Sequence, residues 1–414
     1  MRRLIKGLGF ILAALAISSG ILAAIYQDEI ARLLAVNNLF EPEVIVENFR
    51  TMDKLFEYQV VRRGEDVWEL PAGTQTALPE TFAFGNNKMN TAEFLDYTNT
   101  TGLIVLHDGS VVFEKYFKGE TAETRHISWS VAKSFTSALV GIALHEGLIK
   151  DVQDPVTNYA PVLATSGYNN VPLKHVLQMS SGIGFNEDYA DFFSDINRMG
   201  RTLALRTPIT DFVCSLKTAG PSGVKHHYVS MDTQVLCIVL RQATGKSLTQ
   251  LTEEKLWRPI GMESDAYWLT DTTGMELAFG CLNAVLRDYA RFGLLYMNGG
   301  KRGDLQIVPA EWVRASTTPD GAHVQPKDDV TSPLAPGYGY QWWIPAGNRG
   351  DFLAQGVYNQ LIYVDPQRRV VIAKTSANHH YLEDDYISEP QTTELFRAIA
   401  AQYPLATEDP QSSK

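Results

Sequence analysis

The chain has 414 residues, 45% of them apolar and 20% charged, with a net charge of -11. That composition excludes a disordered chain and allows two or three domains, or one large domain with an insertion. The acidic balance excludes nucleic acid as a partner, because nothing here would neutralise a run of phosphates.

The first element is "MRRLIKGLGFILAALAISSGILAAIY". Arg2, Arg3 and Lys6 precede 20 uncharged residues, 7–26, a length that spans a bilayer. A secretory signal has a shorter apolar region, and "AALA" offers a cleavage site only in mid-run. Residues 1–26 therefore read as a membrane anchor first and a signal sequence second. Basic residues before the span, with Asp28 and Glu29 after it, keep the N-terminus in the cytoplasm. The expected place is the cell envelope. The protein would be anchored in the inner membrane with its domain in the periplasm, or secreted there if the leader is cleaved. Residues 27–80 read as a connecting segment. In it "DEIARLLAVNNLF" is amphipathic, lying along the membrane or the domain, and "PAGTQTALPE" is a loop.

Residues 81–405 read as one domain and 406–414 as a polar tail. "TGLIVLHDGSVVFEKYF" places two β-rich runs around Asp108-Gly109, a hairpin signal. Near the other end, "NQLIYVDPQRRVVIAKTSA" repeats the pattern around Asp365-Pro366-Gln367-Arg368, and the helix "TTELFRAIAAQY" follows. Strands from both ends, with helices and loops between, predict an α+β fold. An antiparallel sheet is flanked by helices and interrupted by a mostly helical inserted subdomain, in addition to the N-terminal transmembrane helix.

In the middle, Val131, Phe135, Leu139, Ile142 and Leu148 recur at helical spacing over 131–149. Ser128 and Ser130 are candidate caps, and Gly147 is a stop. Ser130 and Lys133 then share a helix face, so the amine reaches the hydroxyl. Burial and the positive helix end would both lower the lysine pKa. A neutral amine takes the serine proton and leaves an oxygen nucleophile. The Ser130 N–H at the helix start can hold an oxyanion. Ser-x-x-Lys alone is a weak signal. A second copy, Ser222 to Lys225, follows Pro221 in a loop with no fixed register.

The surrounding blocks strengthen it. "SWSVAKSFTSALVG", "LKHVLQMSSGIGF", "HHYVSMDTQVLCIVLRQATGKSL", "LWRPIGMESDAYW", "LNAVLRDYARFGLLYMNGG", "YGYQWW" and "NQLIYVDP" occur in the order of the serine β-lactamase and penicillin-binding-protein superfamily. The chain resembles that superfamily from about Thr101 to Tyr403. It is nearest to its 6-aminohexanoate-dimer hydrolases and family VIII-type esterases. The resemblance implies a second active-site element, Tyr228-Val-Ser230. Tyr228 would relay protons, with its pKa drawn down by the Lys133 ammonium, and Ser230 would bind substrate or Lys133. The third element falls at Ala354-Gln355-Gly356, where the usual cation is missing. The residue after the glycine, Val357, would supply the second oxyanion N–H beside that of Ser130. Gln355 and Gly356 would line the substrate site and orient a neutral ester or amide.

The expected activity is therefore a serine hydrolase of small esters or amides, acting through an acyl-enzyme on Ser130. The alternatives are a β-lactamase or DD-peptidase, and a non-catalytic envelope binding or sensor protein. No cofactor is expected and no metal. His145-Glu146 lacks a second histidine four residues on, and His379-His380 lacks further ligands. No Gly-x-Ser-x-Gly string occurs. Glu187, Asp188 and Asp191 read as surface charge. Either His226 or His227 lines the pocket or lies in a solvated loop. "YGYQWW" has strand spacing and reads as core. Cys237 reads as a buried apolar residue, with a Cys214–Cys281 disulfide left open.

Overall fold

The computed structural model describes residues 27–406. The leader expected as an anchor, 1–26, lies outside the described residues, as do 407–414. Among the described residues no helix is long and apolar enough to cross a membrane.

A seven-stranded antiparallel sheet joins the two ends of the domain. Its strands are β1 (Thr100–His107), β2 (Ser110–Tyr116), β3 (Gly337–Tyr338), β4 (Trp343–Ile344), β5 (Phe352–Gly356), β6 (Gln360–Asp365) and β7 (Val370–Ser376). The order is β3-β4-β5-β6-β7-β1-β2. Asp108 and Gly109 turn β1 into β2 with φ of 49° and 77°, the left-handed pair that a tight hairpin requires. Residues 366–369 turn β6 into β7, and the Arg368 amide donates to Asp365 Oδ1.

The helices that cover the sheet or build the site are α1 (Gln27–Asn37), α2 (Ala132–His145), α3 (Asp195–Ala204), α4 (Ser230–Thr244), α5 (Leu286–Met297) and α6 (Ser388–Ala400). Alternate residues of a strand face opposite sides. Ile104, Leu106, Ile362, Val364 and Val371 join the main core beneath α5. Leu103, Val105, Leu361 and Ile372 pack with Leu395 and Phe396 of α6 on the other face. Both faces are covered, so β1 reads as one apolar run rather than an alternation.

The inserted region between β2 and β3 is less helical than its sequence suggested. It contributes three strands to a second, four-stranded antiparallel sheet, in the order Tyr58–Val61, Ala266–Leu269, Leu282–Val285 and Arg125–Ile127. "AYWL" and "LNAV" are short, wholly buried runs, which periodicity does not separate from helix. "YGYQWW" is not one strand: Gln341, at φ 63°, turns the chain between β3 and β4. The amphipathic segment after the leader forms α1, which packs on α3. Cys214, Cys237 and Cys281 are all free thiols, so the Cys214–Cys281 disulfide is absent.

Candidate active site

The helix expected at 131–149 forms as α2, and Gly147 follows it at φ 72°. Ser130 sits just ahead of it, in the single 3-10 turn Trp129–Val131. Neither expected cap is made. The Ser128 hydroxyl donates to the Trp129 carbonyl, and Ser130 Oγ receives Lys133 instead. Trp129 is held at φ 43°, a conformation that costs a bulky residue energy and persists only when its surroundings fix it. Its ring is clamped between Phe40 and Phe49, with centroids 5.5 and 5.3 Å away. The strained residue presents the next one, Ser130, at the end of β5.

Gly356 sets that closeness. A Cβ there would stand 2.6 Å from the Ser128 oxygen and 2.9 Å from the Ser130 nitrogen. Only glycine lets the strand reach the serine turn, and it leaves Val357 on the wall of the same cavity as Ser130.

Lys133 is 1% exposed. Its Nζ lies 2.9 Å from Ser130 Oγ and 3.2 Å from Ser230 Oγ, and it also donates to the Phe279 carbonyl. Burial lowers its pKa from 10.5 to about 8, against the opposing pull of Glu187. As a neutral amine it has two hydrogens, enough for Phe279 and Ser230, and its lone pair faces the Ser130 hydroxyl. Ser230 can accept from Lys133 because its own hydroxyl donates to Glu187 Oε1, at 2.5 Å.

Glu187 departs from its expected role as surface charge. It is half-buried, and its Oε2 accepts the Ser230 amide at 2.9 Å, where the carboxylate meets the positive start of α4. The Tyr189 hydroxyl donates to it at 2.8 Å. Its neighbours Asp188 and Asp191 stay outside the site, where they accept the Ala190 and Phe193 amides of their own loop.

Tyr228 sits beside Ser130, which opposes the rise of its pKa, and Lys133 Nζ lies 5.2 Å from its ring centroid. The expected drop in its pKa is not found. Burial first, and the Glu187 carboxylate second, push the phenol well above 10. Tyr228 is therefore a neutral hydroxyl at working pH, suited to giving a proton rather than storing negative charge. Its ring stacks on Trp343, with centroids 5.5 Å apart, and meets Tyr338 edge-on. The aromatics of "YGYQWW" thus brace the tyrosine as well as the core. His226 packs on the same two rings, and burial pushes it down to about 4, so it is neutral. His227 binds the Phe185 carbonyl.

At the third element, Gln355 lies beside Glu389, a half-buried acid whose pKa desolvation raises to about 7. No motif or spacing marks Glu389 in the sequence. The second Ser-x-x-Lys copy lies in a loop, where Ser222 meets His175 at 3.0 Å and Lys225 is exposed. Among the described residues no cluster of His, Cys, Asp or Glu is arranged to hold a metal ion.

The β-lactamase family model matches residues 93–392. A 6-aminohexanoate-dimer hydrolase of Paenarthrobacter ureafaciens is 31% identical over 291 residues, 68% of this chain and 74% of the relative. A solved Bacillus anthracis structure, described as a candidate 6-aminohexanoate-dimer hydrolase, superposes with a TM-score of 0.77 at 25% identity, covering 89% of this chain and 97% of that one. A penicillin-binding protein of Bacillus halodurans shares the fold, with a TM-score of 0.57 at 15% identity over 75% of this chain and 99% of that one.

Proposed function

The chain belongs to the β-lactamase family of serine hydrolases, and on that premise we propose that it cleaves small esters or neutral amides through an acyl-enzyme on Ser130. Lys133, as the free amine, takes the Ser130 proton while Oγ bonds to the substrate carbonyl carbon. The Ser130 and Val357 amides hold the oxyanion. Tyr228 gives its proton to the leaving nitrogen or oxygen as that bond breaks, and regains one from Lys133. Water then repeats the sequence in reverse and frees the acid. The observation that carries this reading is a buried lysine with a pKa of about 8, placed 2.9 Å from a serine oxygen.

The substrate preference rests on charge. A β-lactam or a D-alanine terminus presents a carboxylate, which the family's third-element cation would bind. Here Gln355 stands in that place, backed by Glu389, and Glu187 lies across the site. That surrounding favours a substrate with no carboxylate at the third element. The similarity to 6-aminohexanoate-dimer hydrolases supports a linear amide as one candidate. We also propose that residues 7–26 tether the domain at the outer face of the cytoplasmic membrane, since their apolar length suits a span.

The test is side-by-side turnover of p-nitrophenyl butyrate and a chromogenic cephalosporin, with intact mass after a fluorophosphonate probe. We expect ester hydrolysis, a covalent adduct, and loss of both in Ser130→Ala. Cephalosporin turnover alone would mean a β-lactamase. A folded protein that takes no adduct would mean a binding or sensor protein.

A further inference from the structure

A cavity of about 540 Å³ opens directly on Ser130. That is ample for a ligand well beyond acetyl size. One wall is the serine turn, with Trp129 and Val357; another is made by α1 and α3, which bring Val36, Met199 and Leu203. Of the charged side chains along it, Lys54 is exposed to solvent and the others are engaged within the wall itself. Arg32 pairs with Glu57, and Arg201 lies over the Phe192 ring at 4.0 Å. Asp271 spends its oxygens on the Ile209, Thr273 and Met275 amides. What remains facing the space is largely hydrocarbon.

The proton relay gives the cavity a direction. Tyr228, Trp343 and Gln355 do not line it. The leaving group must meet the Tyr228 hydroxyl, so the other half of the substrate, the acyl half, points into the cavity. The elements that line it also expose apolar side chains to solvent. Ile30 and Leu34 lie one turn apart on α1 and are 42% and 55% exposed, and Phe193, packed on the cavity residue Phe192, is 82% exposed. Exposed apolar side chains on these elements suit an amphiphilic ligand.

We propose that this cavity is an acyl pocket and that the substrates are esters or amides of unbranched medium-chain fatty acids. The inference rests on Ser130 being the acylated residue and goes beyond it by naming the acyl group. Each methylene moved from water into such a pocket favours the transition state, by roughly fourfold at most.

The experiment is kcat/KM of the full chain for p-nitrophenyl acetate, butanoate, octanoate and decanoate. A rise of about tenfold or more from butanoate to octanoate is expected. Gly200, on α3, faces Val36 of α1, where an added Cβ would lie 3.5 Å from Val36 Cγ1. Gly200→Trp should therefore cut the octanoate-to-acetate ratio about tenfold. If that variant does not fold, Val36→Trp fills the space from the opposite wall and gives the same ratio test. Turnover of the acetate with no gain at longer chains would overturn the acyl pocket and leave the hydrolase standing. That same result is expected if the chain's own apolar leader occupies the cavity. Failure on every ester would strike the hydrolase reading itself.

Discussion

Lys133 and Lys374 are equally buried, each 1% exposed, yet only one sits where it can do chemistry. Lys374 lies on β7 in register with Leu103 and Leu361, on the α6 face of the sheet. Its amine reaches Ser376 Oγ at 3.0 Å and the Asn359 carbonyl at 3.5 Å. Burial pushes its pKa well below 10.5, and no opposing charge is among the causes. Lys133 meets a serine hydroxyl, a cavity and the Glu187 carboxylate, which restrains its fall to about 8. Desolvation alone makes an amine neutral. A useful base also needs a proton donor in reach and a pKa near the working pH.

The comparison breaks most sharply by removing each amine in turn. Lys133→Met should lower kcat/KM for an ester about 10⁴-fold, the upper range for a general base. Lys374→Met should leave kcat/KM within about threefold and raise Tm by a few degrees, because it replaces a desolvated amine with an apolar chain of similar volume. Equal losses from the two variants would mean that the sheet lysine is part of the site. Next in size comes Tyr228→Phe. It keeps the ring stacked on Trp343 and removes the proton donor, so a fall of about 10²- to 10³-fold is expected. A better leaving group should recover part of that loss, since it needs less protonation. Comparison of p-nitrophenyl and alkyl esters reads this directly.

Local signals made part of this molecule legible. The Asp108-Gly109 hairpin and the Ser130–Lys133 helix each rest on a few consecutive residues, and both form where the sequence put them. The groups that tune the site are not local. Glu187 lies 43 residues before Ser230 and sits in a run of acids with no periodic pattern, so nothing marked it as the one that turns inward. Glu389 begins a helix far from Gln355 in sequence, and the two meet only when the sheet closes. The positive φ of Trp129 is imposed by packing against Phe40 and Phe49, which no propensity of tryptophan predicts. The Tyr228 pKa runs opposite to the expected direction for the same reason, because burial first and the Glu187 carboxylate second set it, and neither is local in sequence.

Glu187 supplies the finest test. The base must be neutral, so kcat/KM should climb tenfold per pH unit below about 8 and level off above it. Stability carries the same signature. The folded pKa of Lys133 lies below its unfolded value of 10.5, so the unfolded chain binds the extra proton between about 8 and 10.5. The burial penalty, about 3 kcal/mol from that shift, is complete below the lower value and fades as pH rises through the window. Glu187→Gln removes the carboxylate that favours the ammonium, so the rising limb should move to lower pH. The change in kcat/KM at pH 7 should stay under about tenfold, because Gln keeps a carbonyl for Ser230. A pH–rate profile measured beside that of the wild type reads the shift. A limb that stays in place, or moves up, would remove Glu187 from the account of why Lys133 settles higher than Lys374.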